Sequence, residues 1–139
     1  QRSLLMDARA LLTSLLLTVS LLAGPAASHG QSVVFCEQVS SDGKPVNASD
    51  YFSIKRDGGF LHVLVTLPHA VNTDQVRADL FRREKGASVF ESSVYIPTSP
   101  SYRWFSHRLT FYQEGEYEIF FYDKQEKLLA VGGIRLQVR

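Results

Sequence analysis

An all-β fold, built as an antiparallel sandwich of about seven to eight strands, is what this sequence predicts, and three observations carry the expectation. Short runs of β-branched and aromatic residues alternate with turn-forming clusters along most of the chain. Phe (9) and Tyr (6) are more numerous than a helical bundle needs. Beyond residue 28, no stretch of about ten residues keeps a 3.6-residue apolar period. With 139 residues, 45% of them hydrophobic, the chain has material for one ordinary core without metals or disulfides.

Residues 1–28 read as a secretory signal peptide. Met6-Asp7-Ala8-Arg9 supplies a short charged start, Ala10 to Ala23 an apolar run, and Gly24-Pro25-Ala26-Ala27-Ser28 the small residues of a cleavage site. The rival, an uncleaved anchor, is disfavoured because the run is shorter than the ~20 residues that span a bilayer and has no basic stop-transfer flank. Residues 1–5 precede the only Met and read as upstream of the true start. Cleavage after Ser28 leaves His29 at the N-terminus; cleavage after Gly30 is the second choice. Residues 29–139 then form a single sandwich domain.

The elements follow in order. Val33 to Val39 reads as a first strand, closed by the turn-rich Ser40-Ser41-Asp42-Gly43-Lys44-Pro45. Tyr51 to Ile54 is a short edge strand. Lys55-Arg56-Asp57-Gly58-Gly59 turns into Phe60–Leu67, which is apolar on both faces apart from His62 and Thr66 and is therefore expected to be central. Pro68 ends it. Val76 to Arg83 alternates, with Val76, Ala78 and Leu80 on one side and Arg77, Asp79, Phe81 and Arg83 on the other. Ser93 to Ile96 is a short strand stopped by Pro97, leaving residues 84–92 as loop. Arg103 to Phe111 shares a face among Phe105, Leu109 and Phe111; Glu116–Asp123 lines up Tyr117, Ile119 and Phe121. Leu128 to Val138 closes the chain, with a bulge expected at Gly132-Gly133.

Gly115-Glu116-Tyr117 resembles the Gly-x-Tyr corner of immunoglobulin and fibronectin type III domains. That resemblance implies an immunoglobulin-like sandwich in which the Tyr117 hydroxyl bonds back to the backbone just upstream. The chain departs from antibody domains in having no cysteine pair and in placing Trp104 too late for the core Trp of the third strand. The likeness covers about thirty residues and concerns the fold alone.

Charge and cysteine usage narrow the function. Removal of residues 1–28 takes away Arg2, Arg9 and Asp7, leaving 13 of the 15 basic and 13 of the 14 acidic residues. A neutral chain lacks the basic surface that nucleic acid demands and the charge for electrostatic attachment to anionic lipid. Cys36 is the only cysteine, so no internal disulfide forms. It reads as a small buried hydrophobe, with a bridge to another chain as the alternative. Asn47-Ala48-Ser49 matches the N-glycosylation sequon in an expected loop. No Ser sits in a Gly-x-Ser-x-Gly elbow, no glycine pair has phosphate-loop spacing, and Glu114, Glu116, Glu118 and Asp123 read as a solvated edge, so no catalytic residue is assigned.

Two constellations remain. An N-terminal His29 would offer an α-amine and an imidazole to copper, with His62, His69 or His107 as second ligand. In that expected first residue and in fold class the chain resembles the histidine-brace proteins, namely lytic polysaccharide monooxygenases and small periplasmic copper-binding proteins. It lacks the long loops of the former and any Met-rich motif of the latter. Each histidine also has a plainer reading, as a frayed terminus, a strand imidazole, a solvated loop residue and a half-buried core neighbour respectively.

The other constellation is a surface. If the Val76, Glu116 and Leu128 strands are neighbours, Phe81, Arg83, Phe120, Tyr122 and Arg135 point outward together, with Trp104 added as a rim. Aromatics interleaved with arginine are the composition of binding hot spots. The alternative is that residues 40–50 or 84–92 fold over them. The expectation is thus an exported, non-catalytic sandwich, periplasmic or extracellular, that binds a protein partner or itself through Phe81, Arg83, Trp104, Phe120, Tyr122 and Arg135. A copper protein anchored on His29, and a carbohydrate-binding module stacking sugars on Tyr102, Trp104 and Tyr122, are the other two readings.

Overall fold

The computed structural model describes residues 30–139, and every regular element in it is a strand. The signal-peptide reading and His29 lie outside the described residues. The strands are β1 (Ser32–Cys36), β2 (Gln38–Val39), β3 (Pro45–Val46), β4 (Tyr51–Ile54), β5 (Gly59–Thr66), β6 (Gln75–Glu84), β7 (Ala87–Pro97), β8 (Trp104–Phe111), β9 (Gly115–Tyr122) and β10 (Leu128–Val138). They form a five-stranded sheet in the order β4-β10-β9-β6-β7, a three-stranded sheet β1-β5-β8, and the small pair β2-β3. This is the all-β sandwich that the alternation predicts. One pairing, β4 with β10, is parallel.

Period-two patterning turns one side of each sheet inward. Val76, Ala78 and Leu80 of β6, with Tyr117, Ile119 and Phe121 of β9, are buried against Phe35, Val63, Val65, Phe105 and Leu109 of the other sheet. Phe105 and Phe121 meet edge to face across the interior at 6.2 Å. As expected, β5 is central in its sheet. The Gly-x-Tyr corner also forms: the Tyr117 hydroxyl donates to the Gln113 carbonyl oxygen at 2.7 Å, and its ring packs on Phe111. Gly115 holds φ +146°, outside the range that other residues adopt comfortably.

Four expectations change. First, the initial strand breaks at Glu37, and β2 turns back through Gly43 to pair with β3. This hairpin lies over the outer face of the three-stranded sheet. Gly43 takes φ +81°, and a Cβ there would stand 2.6 Å from the Trp104 indole, so the turn rests directly on that ring. Cys36 and Leu64 point to this outer side, yet are only 0% and 3% exposed. The buried Cys36 thiol, which burial pushes above its usual pKa, is shielded from another chain by the hairpin.

Second, residues 84–92 are not a loop. Lys85 and Gly86, both at positive φ, form a two-residue hairpin turn, and β7 runs eleven residues beyond it. Third, the bulge of β10 falls between Leu128 and Ala130, earlier than the glycine pair. Gly132 serves a different purpose: a Cβ there would lie 2.3 Å from Cγ1 of Val33, so the missing side chain lets the two sheets close together. The fourth change concerns Trp104 and belongs to the site.

Candidate functional site

The outer face of the five-stranded sheet gathers the aromatic residues. Register sets them in cross-strand rows. Tyr95 of β7, Arg77 of β6, Tyr122 of β9 and Leu128 of β10 form one row; Ser93, Asp79, Phe120 and Val131 form the next; Phe90, Phe81, Glu118 and Gly133 a third. Phe81 stands edge to face with Phe90 on one side and with Phe120 on the other, each at 5.6 Å. Three phenyl rings thus make a continuous band across β7, β6 and β9. At its margins Phe90 is 56% exposed, Tyr95 58%, Leu128 47% and Val131 41%. Nothing among the described residues folds over this band. Residues 40–46 are occupied on the opposite sheet, Asp50 accepts from the Arg135 N–H at the β4 edge, and residues 84–92 extend the sheet in its own plane.

Charged groups frame the rings. The Arg77 guanidinium lies over the Tyr122 ring at 4.8 Å, while Nε donates to Asp79 at 3.0 Å and Nη1 to Glu126 at 2.8 Å. Those hydrogen bonds, to Glu126 and then Asp79, raise its pKa further, so the cation is permanent. Arg83 donates to the Gly86 carbonyl oxygen and steadies the β6–β7 turn. Arg135 pairs with Glu116 at 3.0 Å, an exposed pair that contributes little to stability and stays free to exchange partners. Gly133 has no side chain between Glu118 and the Arg135 row, and its backbone forms part of a shallow groove of about 420 Å³ that includes Asp50, Tyr51, Glu116 and Arg135.

Five of the six residues expected to bind, Phe81, Arg83, Phe120, Tyr122 and Arg135, share this face. Trp104 does not. It sits on β8 of the other sheet, half-buried under Gly43, because its indole is the platform on which the β2–β3 hairpin rests. The same fact separates Trp104 from Tyr122, so Tyr102, Trp104 and Tyr122 form no single stacking platform. Sequence reasoning missed Phe90, Tyr95, Leu128 and Val131. Phe90 was hidden by the serines around it, which break the apolar alternation; the Lys85-Gly86 turn was the available signal for a longer strand.

The histidines are dispersed. His62 donates Nδ1–H to the Glu37 carbonyl oxygen at 3.1 Å beneath the hairpin, and His69 bonds the Ala70 carbonyl oxygen in its loop. His107 is half-buried on β8, on the side of Phe105 and Leu109. Among the described residues no three His, Cys, Asp or Glu side chains gather as metal donors. Burial, and after it the charge of His62, hold the His107 imidazole below its usual pKa of 6.5. Its protonated form is therefore tolerated less in the folded chain than in the unfolded one. Its contribution to stability is complete above the unfolded value and is lost as pH falls through the lower folded value. Melting of a His107→Gln variant should accordingly depend less on pH than the wild type below pH 6.5; identical pH slopes would show that this imidazole is not responsible.

No protein-family model matches the chain, and no curated protein matches it in sequence. Among solved structures, it is similar to a superoxide reductase (neelaredoxin) from Ignicoccus hospitalis, at 17% identity over 83% of this chain and 86% of that one, with a TM-score of 0.43. It is also similar to a Niemann-Pick type C2 protein from the Japanese carpenter ant, at 11% identity over 78% and 89%, with a TM-score of 0.46. Likenesses this distant carry no argument about what the chain does.

Proposed function

We propose that this chain is an exported, non-catalytic binding protein that takes another protein onto the outer face of its five-stranded sheet. The observation that carries the reading is the uncovered phenyl band Phe90–Phe81–Phe120 with the Arg77–Tyr122 pair beside it. Contiguous exposed aromatic area of this kind is uncommon on a surface that meets only water. Rings joined to arginine supply the rigid, amphipathic anchors of protein interfaces. Export is supported by the signal-like N-terminal sequence. No helix among the described residues is long and apolar enough to cross a membrane.

Phe90→Asp tests the reading, because a side chain 56% exposed can change without disturbing the interior. Phe60→Asp, at 55% exposure on the opposite sheet, is its control. Immobilised wild type and Phe60→Asp are expected to retain a common protein from the exported and envelope fraction of the source cells, and Phe90→Asp to release it. With that protein purified, Phe90→Asp should weaken the titrated affinity by tenfold or more, roughly the effect of losing an interface anchor. Equal retention by all three forms, or by none, would remove the proposal.

A further inference from the structure

The two main sheets end in four edge strands, and three of them are guarded. The edge of β1 is capped where the Ser49 N–H donates to the Phe35 carbonyl oxygen and the Glu37 N–H to that of Val46. On β4, only four residues long, the Ser49 hydroxyl accepts from the Tyr51 N–H and donates to the Tyr51 carbonyl oxygen. The β8 edge carries Arg108 and His107. Short length, local capping and charge are the ordinary means by which proteins keep sheet edges from pairing with other chains.

β7 has none of these over half its length. It is eleven residues long and pairs only with β6 among the described strands. Its register shift against β6 leaves Glu91 as the extra residue, and that carboxylate is engaged by Arg82 Nε at 3.1 Å. Between this bulge and Pro97 lies Ser92-Ser93-Val94-Tyr95-Ile96, without a charge, a proline or a glycine. Such a stretch presents a row of free backbone donors and acceptors to solvent, and the chemistry that satisfies them is another extended strand.

We infer that β7 is a self-association edge, on which a second copy of this chain pairs antiparallel through Ser92–Ile96 about a two-fold axis near Val94. Under that axis Ser93 of each copy lies opposite Tyr95 of the other, and Ser92 opposite Ile96. Both pairings match side to side: Ser93 and Tyr95 are outward residues, registered with Asp79 and Arg77, while Ser92 and Ile96 are registered with the inward Leu80 and Val76. The uncharged stretch sets no like charges against each other, whereas self-pairing of β8 would place its arginines and histidines close together. A two-fold pairing also closes on itself and does not propagate into fibres. The result is one continuous ten-stranded sheet that presents two copies of the phenyl band on the same side. Edge pairing alone buries less than a standard interface, so the dimer is expected to be weak, on the order of 10 µM or above. The inference does not depend on what the band binds.

Sedimentation velocity of the purified protein across a wide concentration range, with hydrogen exchange at high and low concentration, tests it. The wild type should shift from monomer to dimer as it is concentrated, with amide protection of residues 92–96 rising in step. Tyr95→Lys, which sets two ammonium groups close to the axis at an exposed position, should stay monomeric with an unchanged melting temperature. Phe90→Asp, beyond the bulge, should still dimerise; this keeps failure of the edge distinct from failure of the face. A wild type monomeric throughout overturns the inference. So does a dimer that survives Tyr95→Lys or that Phe90→Asp dissolves, and so do β7 amides equally protected at every dilution, which would mark an occupant from the same chain.

Discussion

Gly132→Ala is expected to destabilise the protein by about 1–3 kcal/mol, while the same change at Gly133 is neutral or stabilising by roughly 0.4–1 kcal/mol. The two glycines are adjacent and face opposite sides of β10. A Cβ on Gly132 would fall 2.3 Å from Cγ1 and 2.8 Å from Cβ of Val33, closer than real atoms approach. Relief by backbone movement is costly, because Gly132 is held in register with Ile119 inside the five-stranded sheet and Val33 with Val65 of the central strand β5. A Cβ on Gly133 meets nothing nearer than the Tyr117 carbonyl oxygen at 3.6 Å, an ordinary contact. It would only restrict the unfolded chain. Urea denaturation of both variants reads the difference. Adding Val33→Ala removes the closer overlap, so the double variant should be less destabilised than the sum of the two single changes. Equal effects at both glycines, or strict additivity with Val33→Ala, would show that the sheets do not touch here as described.

The same pair marks how far the sequence could be read. A glycine doublet inside a strand signals an irregularity, and a bulge was the natural reading. Only the approach of β1, about a hundred residues distant in the chain, decides that Gly132 is a contact point. Elements that bury one side announced themselves. β5 is apolar on both faces because it is central, β6 and β9 alternate because one side meets the core, and Tyr117 follows Gly115 because the corner requires both. β7 was half hidden, since a strand exposed along most of its length need not alternate and its serines blur the pattern. Trp104 was misplaced for a related reason. Its strand was legible, but which sheet that strand joins, and that the β2–β3 hairpin rests on its indole, are tertiary facts. The face itself was therefore legible in Phe81, Arg83, Phe120, Tyr122 and Arg135, whereas its exposed margin at Phe90, Tyr95 and Val131 was not.

Phe121→Ala should cost about 3–5 kcal/mol, and Phe120→Ala on the neighbouring residue about 1 kcal/mol or less. Consecutive residues of a strand point to opposite sides, so this pair compares the interior with the face under one backbone. Phe121 is fully buried and meets Phe105 across the sheets; its loss opens a cavity between two layers that cannot collapse independently. Phe120 is half-buried and touches Phe81 at 5.6 Å, with solvent on its other side, so truncation removes part of a band and leaves no enclosed void. Phe120→Ala combined with Tyr122→Ala should consequently melt as one cooperative unit near the wild-type temperature, yet lose affinity for whatever the face binds. Calorimetry and a binding titration on the same preparations separate the two effects. If Phe120→Ala proved as damaging to stability as Phe121→Ala, the phenyl band would belong to the protein's own packing. Its exposure at Phe90 would then be the fringe of a core, and the binding face would have no basis.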